Sequence, residues 1–168
     1  MSDIIRIGVV SDTHGHVPNT EQAVKQLREH QVSQVIHCGD IGTGAIIPLF
    51  SDWPTHFVFG NVDKEKSHLQ STIEGLGQTC WGEFGEIQVG EFRIAFTHGH
   101  DTVLLDRLST SGAFDIVCSG HTHVASLDIE NDVQLLNPGA LYRAKPLTFA
   151  IIELPDLAIT HYQLATET

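Results

Sequence analysis

Two histidines separated by one residue lie in the stretch Gly-His-Thr-His at residues 120–123, directly after the apolar run at residues 114–118. A polar surface loop is the simplest interpretation of such a stretch. The alternative is a pair of metal ligands, because neutral imidazole is the side chain that most commonly binds metal ions in proteins. The choice depends on which other polar residues the fold brings to the same place.

Other residues that could bind a metal also follow short apolar runs that are predicted to be strands. They are Asp12 and His14, Asp40, Asn61, and His98 and His100. Sites in α/β proteins collect at the carboxyl ends of neighbouring strands, so we expect these side chains to converge if the strands lie side by side. Residues i and i+2 of an extended chain point to the same side, which lets both members of a pair reach one cluster. Gly39, Gly60 and Gly120 precede three of the potential ligands and are expected to let the backbone turn sharply there.

The chemistry of this cluster would be that of a metal site built from oxygen and nitrogen. It would combine carboxylates, one amide oxygen and several imidazoles, without sulfur. Such a set suits borderline divalent metals such as manganese, iron, cobalt, nickel or zinc better than calcium. The ligands other than His100 number seven, which is too many for one tetrahedral ion. They match two ions that share a bridging carboxylate, which lie about 3.5–4 Å apart in such sites.

The first third of the chain alternates between strand and helix patterns. Residues 4–10 form a β-branched apolar run that predicts a buried strand. A helix is predicted after Pro18, with Asn19 as its cap and Gln22 reaching back to it. Strands at residues 32–38 and 56–59, with a short helical segment near 45–50 between them, continue the alternation. This order indicates a parallel sheet with flanking helices.

The rest of the chain changes from this alternation to a strand-rich pattern. Helices are predicted at residues 64–73 and 102–108, and a hairpin joins strands 86–89 and 92–97 through Gly90-Glu91. Further strands are predicted at residues 114–118, 125–129, 133–136, 147–153 and 158–163. The fold class is therefore α/β, with two packed mixed sheets and helices outside them. Residues 1–168 are predicted to form one domain.

Composition excludes several classes of protein. Lys and Arg total 9 against 21 for Asp and Glu, a formal charge of −12, which disfavours extended nucleic-acid binding and anionic membrane surfaces. Three cysteines without a C-x-x-C motif predict neither a disulfide framework nor a thiolate zinc site. We find no apolar run of 18 residues and no secretory leader, so we expect a cytoplasmic protein without a membrane span. A homo-oligomer is compatible with the sequence.

The ordered motifs resemble those of the calcineurin-like metallophosphoesterases. They are Asp12-x-His14, Gly39-Asp40, Gly60-Asn61, His98 and Gly120-His121-x-His123. The short length, together with Gly60-Asn61-Val62-Asp63, Thr97-His98-Gly99-His100 and Asn137-Pro138-Gly139, is similar to the small prokaryotic phosphodiesterase branch. The resemblance covers nearly the whole chain and implies a four-layer α-β-β-α sandwich.

The resemblance also implies an assignment of ligands to two divalent metal ions. The first ion would take Asp12, His14, Asp40 and His123, and the second Asp40, Asn61, His98 and His121. Asp40 would bridge them. Manganese is the expected metal, with iron, nickel, cobalt and zinc as alternatives. The implied activity is hydrolysis of small phosphodiesters by a metal-bridging hydroxide, because coordination lowers the pKa of water toward about 7.

Two departures from the superfamily pattern concern catalysis. Val62 occupies the position at which many members carry a histidine that protonates the leaving group. His100 is the candidate that replaces it, with His16 as the alternative. Ala140 occupies the position at which relatives commonly have serine after Asn-Pro-Gly.

Two other functions remain open from the sequence. The first is a non-catalytic metal-binding interaction scaffold, like the retromer subunit of this fold. The second is a sequence-specific nuclease, which the charge of −12 disfavours.

Overall fold

Two β-sheets form the centre of the computed structural model, which describes residues 3–165. Sheet 1 has six strands in the order β11-β10-β1-β2-β3-β4. These are β1 (Ile5–Val10), β2 (Gln34–His37), β3 (Thr55–Phe57), β4 (Thr79–Cys80), β10 (Thr148–Leu154) and β11 (Ala158–Gln163). Sheet 2 has five strands in the order β5-β6-β7-β9-β8. These are β5 (Phe84–Val89), β6 (Phe92–Thr97), β7 (Ile116–Cys118), β8 (Ser126–Glu130) and β9 (Val133–Asn137).

Both sheets mix parallel and antiparallel pairs, as the sequence predicts. In sheet 1, β1, β2, β3 and β4 are parallel, whereas β10 runs antiparallel to both β1 and β11. In sheet 2, β6, β7 and β9 are parallel, and antiparallel strands β5 and β8 form the two edges. The carboxyl ends of β1, β2 and β3 therefore meet at one edge of sheet 1, and those of β6 and β7 at one edge of sheet 2.

Helices cover the outer face of each sheet. They are α1 (Val17–Glu29), a 3-10 helix (Gly44–Phe50), α2 (Lys66–Gly75) and α3 (Thr102–Thr110). Alternate residues of each strand point to opposite faces. In β1, for example, Ile7 and Val9 pack in the core between the sheets, while Val10 packs in the core under the helices.

Three separate apolar cores define the layers. One lies between sheet 1 and the first three helical segments, where Leu27 of α1 packs. The second lies between the sheets and contains Ile94 and Phe96 of β6. The third lies between sheet 2 and α3, where Ala95 and Leu108 meet. The four-layer α-β-β-α sandwich is therefore confirmed.

The structure corrects the predicted start of the first helix. Helix α1 begins at Val17, with Pro18 in its first turn. Backbone N–H groups of the first turn have no intrahelical acceptor, so proline, which lacks an N–H, costs no hydrogen bond there. The cap is His16, whose Nδ1 accepts the backbone N–H of Asn19 at 3.2 Å. Asn19 instead donates its side-chain amide to the Leu141 carbonyl at 2.8 Å. The prediction of Asn19 as the cap is therefore wrong.

Most other boundaries lie within two residues of the predicted ones. The hairpin of β5 and β6 through Gly90 is confirmed, and β11 has its predicted limits. Strand β4 is absent from the sequence prediction because two residues carry no readable periodicity. Over residues 3–165, every helix is too short or too polar to cross a membrane.

Candidate metal centre

All seven predicted ligand side chains lie at the edge where the carboxyl ends of the strands meet. The residues after β1, β2 and β3 of sheet 1 are Asp12, His14, Asp40 and Asn61. Those after β6 and β7 of sheet 2 are His98, His121 and His123. Hydrogen bonds connect the two sheets here, since the backbone N–H of His121 donates to Asp12 Oδ2 at 3.1 Å and His98 Nδ1 contacts the Cys38 carbonyl at 2.8 Å.

One group of side chains consists of Asp12, His14, Asp40 and His123. Each offers one ligand atom, and these atoms lie within 4.8 Å of one another. The Nε2 atom of His123 is 3.1 Å from Asp12 Oδ1 and 3.3 Å from His14 Nε2. His14 Nε2 is 3.6 Å from Asp40 Oδ2. Four such atoms around a common centre could hold one metal ion.

A second group consists of Asp40, Asn61, His98 and His121. The side-chain oxygen of Asn61 lies 3.0 Å from His98 Nε2 and 3.1 Å from His121 Nδ1. His98 Nε2 is 3.3 Å from Asp40 Oδ2. This group contributes one carboxylate, one amide oxygen and two imidazoles. It matches the second ligand set that the family resemblance implies.

Asp40 belongs to both groups through a single oxygen atom. Its Oδ2 faces His14 of the first group at 3.6 Å and His98 of the second at 3.3 Å. Its Oδ1 accepts the backbone N–H of Val62 at 3.1 Å, which fixes the orientation of the carboxylate. Asp40 is 3% exposed, so little water competes for these oxygens. This position is the one that a bridging ligand requires.

The Asp12 carboxylate has one satisfied and one unsatisfied oxygen. Its Oδ2 accepts from Ser11 Oγ at 2.5 Å and from the His121 backbone. Its Oδ1 is buried and has no hydrogen-bond donor within residues 3–165. Burial disfavours the charged form, but the nearby His14 imidazole and the Ser11 hydroxyl outweigh that effect and lower the pKa of Asp12 to about 2. A buried anionic oxygen without a donor is costly unless a cation occupies the space before it.

Two ring nitrogens show which side of each imidazole faces the cluster. Nδ1 of His98 contacts the Cys38 carbonyl, and Nδ1 of His123 contacts the Arg143 carbonyl at 3.2 Å. A carbonyl only accepts, so each Nδ1 carries the proton and each Nε2 of the neutral ring presents a lone pair to the carboxylates. Lone pairs facing carboxylate oxygens fit a metal ion between them.

His98 also reports the electrostatic character of the cluster. Its full burial disfavours the imidazolium form. The hydrogen bond that the imidazolium form makes to Asp40, together with the negative charges of Asp12 and Asp40, acts in the opposite direction and raises the pKa of His98. The cluster therefore attracts positive charge, which a divalent ion would supply.

The backbone is strained at most of the cluster. Within residues 3–165, ten non-glycine residues have positive φ. Five belong to the cluster: Asp12 (55°), His14 (45°), Asp40 (55°), His121 (72°) and His123 (62°). Each such conformation costs on the order of 1–3 kcal/mol and persists only where the surrounding structure enforces it. The loops therefore hold ligand geometry at the expense of local stability.

The three glycines before ligands serve two different purposes. Gly39 has a φ of +95°, so the expected sharp turn is confirmed there. Gly60 and Gly120 do not have positive φ. A Cβ at Gly60 would overlap Asp40 Oδ1, and one at Gly120 would overlap Ser11 Oγ. For these two positions the turn explanation is wrong, and the reason for glycine is close approach to a carboxylate loop.

The candidate leaving-group acids lie beside the cluster. The exposed His100 has its ring 5.5 Å from that of His98 and 6.3 Å from that of His121. His16 caps α1 through Nδ1 and stacks on Tyr142 at 5.0 Å. Both therefore line the rim of the site, His100 near the second ligand group and His16 near the first. Their roles as acids stay predictions.

Asp63 is a supporting residue whose part the sequence does not reveal. We expect it to be solvated, salt-bridged or in contact with substrate, but it is 2% exposed. It accepts backbone N–H groups from Gly60 at 2.8 Å, Ile41 at 3.1 Å and Gly42 at 3.0 Å. Asp63 thus ties the loop after β2 to the loop after β3. No sequence pattern distinguishes this use from an ordinary turn.

His37 and Asn137 support the other loops. His37 is fully buried; Gly39 N–H donates to its Nδ1 at 3.1 Å, and its Nε2 lies 3.0 Å from Thr13 Oγ1. These contacts give His37 a structural role beneath the loops after β1 and β2. Asn137 donates to the Gly120 carbonyl and to Thr122 Oγ1, both at 3.0 Å. The Asn-Pro-Gly turn therefore lies directly under the loop that carries His121 and His123.

Comparison with known proteins identifies the family. The model of the calcineurin-like phosphoesterase superfamily domain matches residues 5–156. The chain belongs to this superfamily.

The similar proteins agree with this assignment. A phosphodiesterase of Methanocaldococcus jannaschii is 31% identical over 138 residues, which is 80% of this chain and 83% of the relative. A probable metallophosphoesterase of Bacillus subtilis is 28% identical over 90% of this chain and 86% of its own length. The solved structure of an archaeal phosphodiesterase superposes with a TM-score of 0.88 at 28% identity, covering 95% of this chain and all of that one.

Proposed function

We propose that this protein is a phosphodiesterase that uses two divalent metal ions to hydrolyse small phosphodiesters. The observation that carries the proposal is the position of Asp40 Oδ2 between two groups of ligand atoms. The unsatisfied Asp12 Oδ1 supports the presence of a cation in the first group. The similarity to a curated phosphodiesterase and to the solved structure of an archaeal phosphodiesterase supports a diester as the substrate.

The residues divide into two proposed ligand sets. Asp12, His14, Asp40 and His123 would hold one ion, and Asp40, Asn61, His98 and His121 the other. When bound, two such ions supply a water of lowered pKa and neutralise charge on the phosphoryl oxygens. Manganese stays the expected metal.

The charge balance explains how an acidic protein would bind a phosphodiester. The whole chain carries a formal charge of −12, and only Asp12 and Asp40 among the proposed ligands are anionic. Two divalent ions would outweigh these two carboxylates, so the site would be locally cationic. The other proposed ligands, one amide and four neutral imidazoles, do not reduce this excess of positive charge.

His100 is the proposed proton donor to the leaving group. Its exposed ring lies next to those of His98 and His121, so it can approach a leaving oxygen without being a ligand. General acids of this kind contribute typically about 10²–10⁴-fold. Val62 cannot donate a proton, so the donor that many superfamily members carry at this position must come from elsewhere in this chain.

Metal analysis combined with turnover tests the proposal. Purified protein should contain about two divalent ions per chain, as two shared-ligand sites require, and should hydrolyse bis(p-nitrophenyl) phosphate with manganese. Asp40→Asn should abolish this turnover, while Asp52→Asn, a change in an exposed surface pair, should not. Two bound ions with no turnover of any phosphoester would instead favour the interaction scaffold.

Three further expectations stay predictions of the sequence. They are the cytoplasmic location, the oligomeric state and the single domain over residues 1–168, of which residues 1–2 and 166–168 lie outside the described part.

A further inference from the structure

A cationic hollow adjoins the first ligand group. We name it the Tyr142 hollow; its volume is about 460 Å³, and it is lined by Asn19, Tyr142, Arg143, Ala144, Lys145 and Leu147. Two of the nine lysines and arginines of the chain lie here. None of the six lining residues carries a carboxylate. In a chain of charge −12, this surface is therefore locally cationic.

The hollow is joined to the metal centre by direct contacts. The ring of Tyr142 lies 5.9 Å from that of His14, and the Arg143 carbonyl contacts His123 Nδ1 at 3.2 Å. The guanidinium of Arg143 lies 5.2 Å from the centre of the Tyr142 ring. One aromatic ring therefore connects a proposed metal ligand with an arginine side chain.

The loop that carries the two cations is held in place. Asn19 of α1 donates to the Leu141 carbonyl, and His16 stacks on Tyr142 with 21° between the ring planes. Arg143 itself has a φ of 53°, a conformation that a non-glycine residue adopts only where it is enforced. Arg143 is thus presented on a positioned loop.

Arg143 has no acidic partner in the part of the chain that the structure describes. Among residues 3–165, its exposed guanidinium takes part in no salt bridge, which is also true of Arg107, whereas Arg6, Arg28 and Arg93 each pair with a carboxylate. An arginine is suited to phosphate because its planar donors match two oxygens at once. The N–H donors of Arg143 are therefore suited to bind an anionic group of the substrate.

We propose that the Tyr142 hollow binds a second phosphate of the substrate, so that the preferred substrate is a phosphodiester with a further phosphate group on one arm. This inference rests on the proposed function and names its substrate class. The scissile phosphoryl group would lie at the metal centre. The second phosphate would lie over Tyr142, with Arg143 and Lys145 as its partners.

Two chromogenic diesters test this preference. One is the p-nitrophenyl ester of thymidine 5′-phosphate, and the other is the same ester with a free phosphate on the 3′ oxygen. Charge-assisted contacts with phosphate should make kcat/KM roughly tenfold higher for the 3′-phosphorylated ester. The ratio of the two values should fall as salt is raised, because the hollow is open to solvent.

Arg143 variants assign the preference to the hollow. In Arg143→Gln the ratio should fall close to one, and in Arg143→Lys, which keeps the charge but not the planar fork, it should fall only in part. Both changes keep the backbone carbonyl that contacts His123. Arg93→Ala is the matched control, since Arg93 also lies over an aromatic ring, 5.3 Å from the centre of Phe114, and should keep the wild-type ratio.

The outcomes separate this inference from the proposed function. Hydrolysis of both esters at equal kcat/KM, or a preference that survives Arg143→Gln, overturns the second-phosphate site and leaves the phosphodiesterase in place. Hydrolysis of neither ester in the metal-loaded protein overturns the proposed function itself.

Discussion

The two sheets contribute different chemistry to the same site. Sheet 1 supplies every proposed oxygen ligand, namely Asp12, Asp40 and Asn61, and one proposed imidazole ligand, His14. Sheet 2 supplies only imidazoles. The two carboxylates are 0% and 3% exposed, whereas His121 is exposed and His123 is partly so. The sheet 1 carboxylates are thus anionic and dry, whereas sheet 2 combines the fully buried His98 with two imidazoles that lie closer to water.

The difference follows from how each ligand is held in place. The sheet 1 carboxylates are oriented by donors such as Ser11 Oγ and the Val62 N–H, and burial strengthens those contacts. The sheet 2 imidazoles His98 and His123 need only one carbonyl on Nδ1 to fix the ring. A neutral ring can remain near solvent at little cost, whereas an exposed carboxylate would be hydrated. We therefore expect the sheet 1 carboxylates to be more sensitive to substitution than the sheet 2 imidazoles.

The largest effect should come from the bridging position. Asp40→Asn removes the one anionic oxygen shared by both ligand groups, and should lower kcat/KM by on the order of 10³-fold or more. His98→Asn on sheet 2 removes one neutral ligand and should cost about 10²-fold. Diester turnover and metal content measured on both variants check the order. Equal losses of kcat/KM in the two variants would contradict the expected difference between the sheets.

Close approach within sheet 1 should be the next most sensitive feature. Gly60→Ala places a methyl group against Asp40 Oδ1 and should destabilise the fold by about 3 kcal/mol. Gly75→Ala is the matched change at the end of α2, where nothing lies within 4 Å of the new Cβ. It should stabilise the protein by up to about 1 kcal/mol. Denaturant unfolding measures the change in the free energy of unfolding for both variants. If Gly60→Ala left that free energy unchanged, the packing argument would be contradicted.

The buried His37 of sheet 1 should make stability depend on pH. Burial lowers the pKa of His37 to about 4 from an ordinary value of 6.5, so the unfolded chain binds the proton first as pH falls. The contribution of neutral His37 to the free energy of unfolding is therefore complete above pH 6.5. It is lost progressively as the pH falls toward 4, by roughly 3 kcal/mol in total.

Chelator-treated protein, unfolded by denaturant at several pH values, checks this prediction without a contribution from metal loss. His37→Asn should be less stable than wild type at neutral pH, yet should lose less stability between pH 6.5 and 4. The exposed His68→Asn is the control for removing a histidine. If the free energy of unfolding changed with pH in parallel for wild type and His37→Asn, the His37 imidazole would not be the source of the pH dependence.

The smallest and most selective effect should come from the rim near sheet 2. His100→Gln should slow diesters with alkyl leaving groups by roughly 10²-fold, because these need a proton. It should change turnover of p-nitrophenyl diesters much less, since that leaving group is stable as an anion. His16→Gln tests the alternative acid on the sheet 1 side. A selective loss in His16→Gln rather than His100→Gln would reverse the assignment.

Local patterns were sufficient to predict much of the fold and the cluster membership. Strand β1, the hairpin of β5 and β6, and the placement of polar residues at strand ends were all readable from apolar periodicity. Turn chemistry was less readable. The Asn19 side chain is used for a bond to the distant Leu141 carbonyl, and the short strand β4 depends on its pairing with β3. No local pattern records either contact.

The sequence by itself determined which ligand types are present and that each follows a strand. Tertiary structure decided how those ligands are used. Only packing of the two sheets brings Asp12 and Asp40 against His98 and His123, because the nearest of these pairs are 58 residues or more apart. Only folding buries Asp63 and His37 as supports and leaves Arg143 without an acidic partner among residues 3–165. Burial and pairing are properties of three-dimensional neighbours, and for that reason a list of residues cannot reveal them.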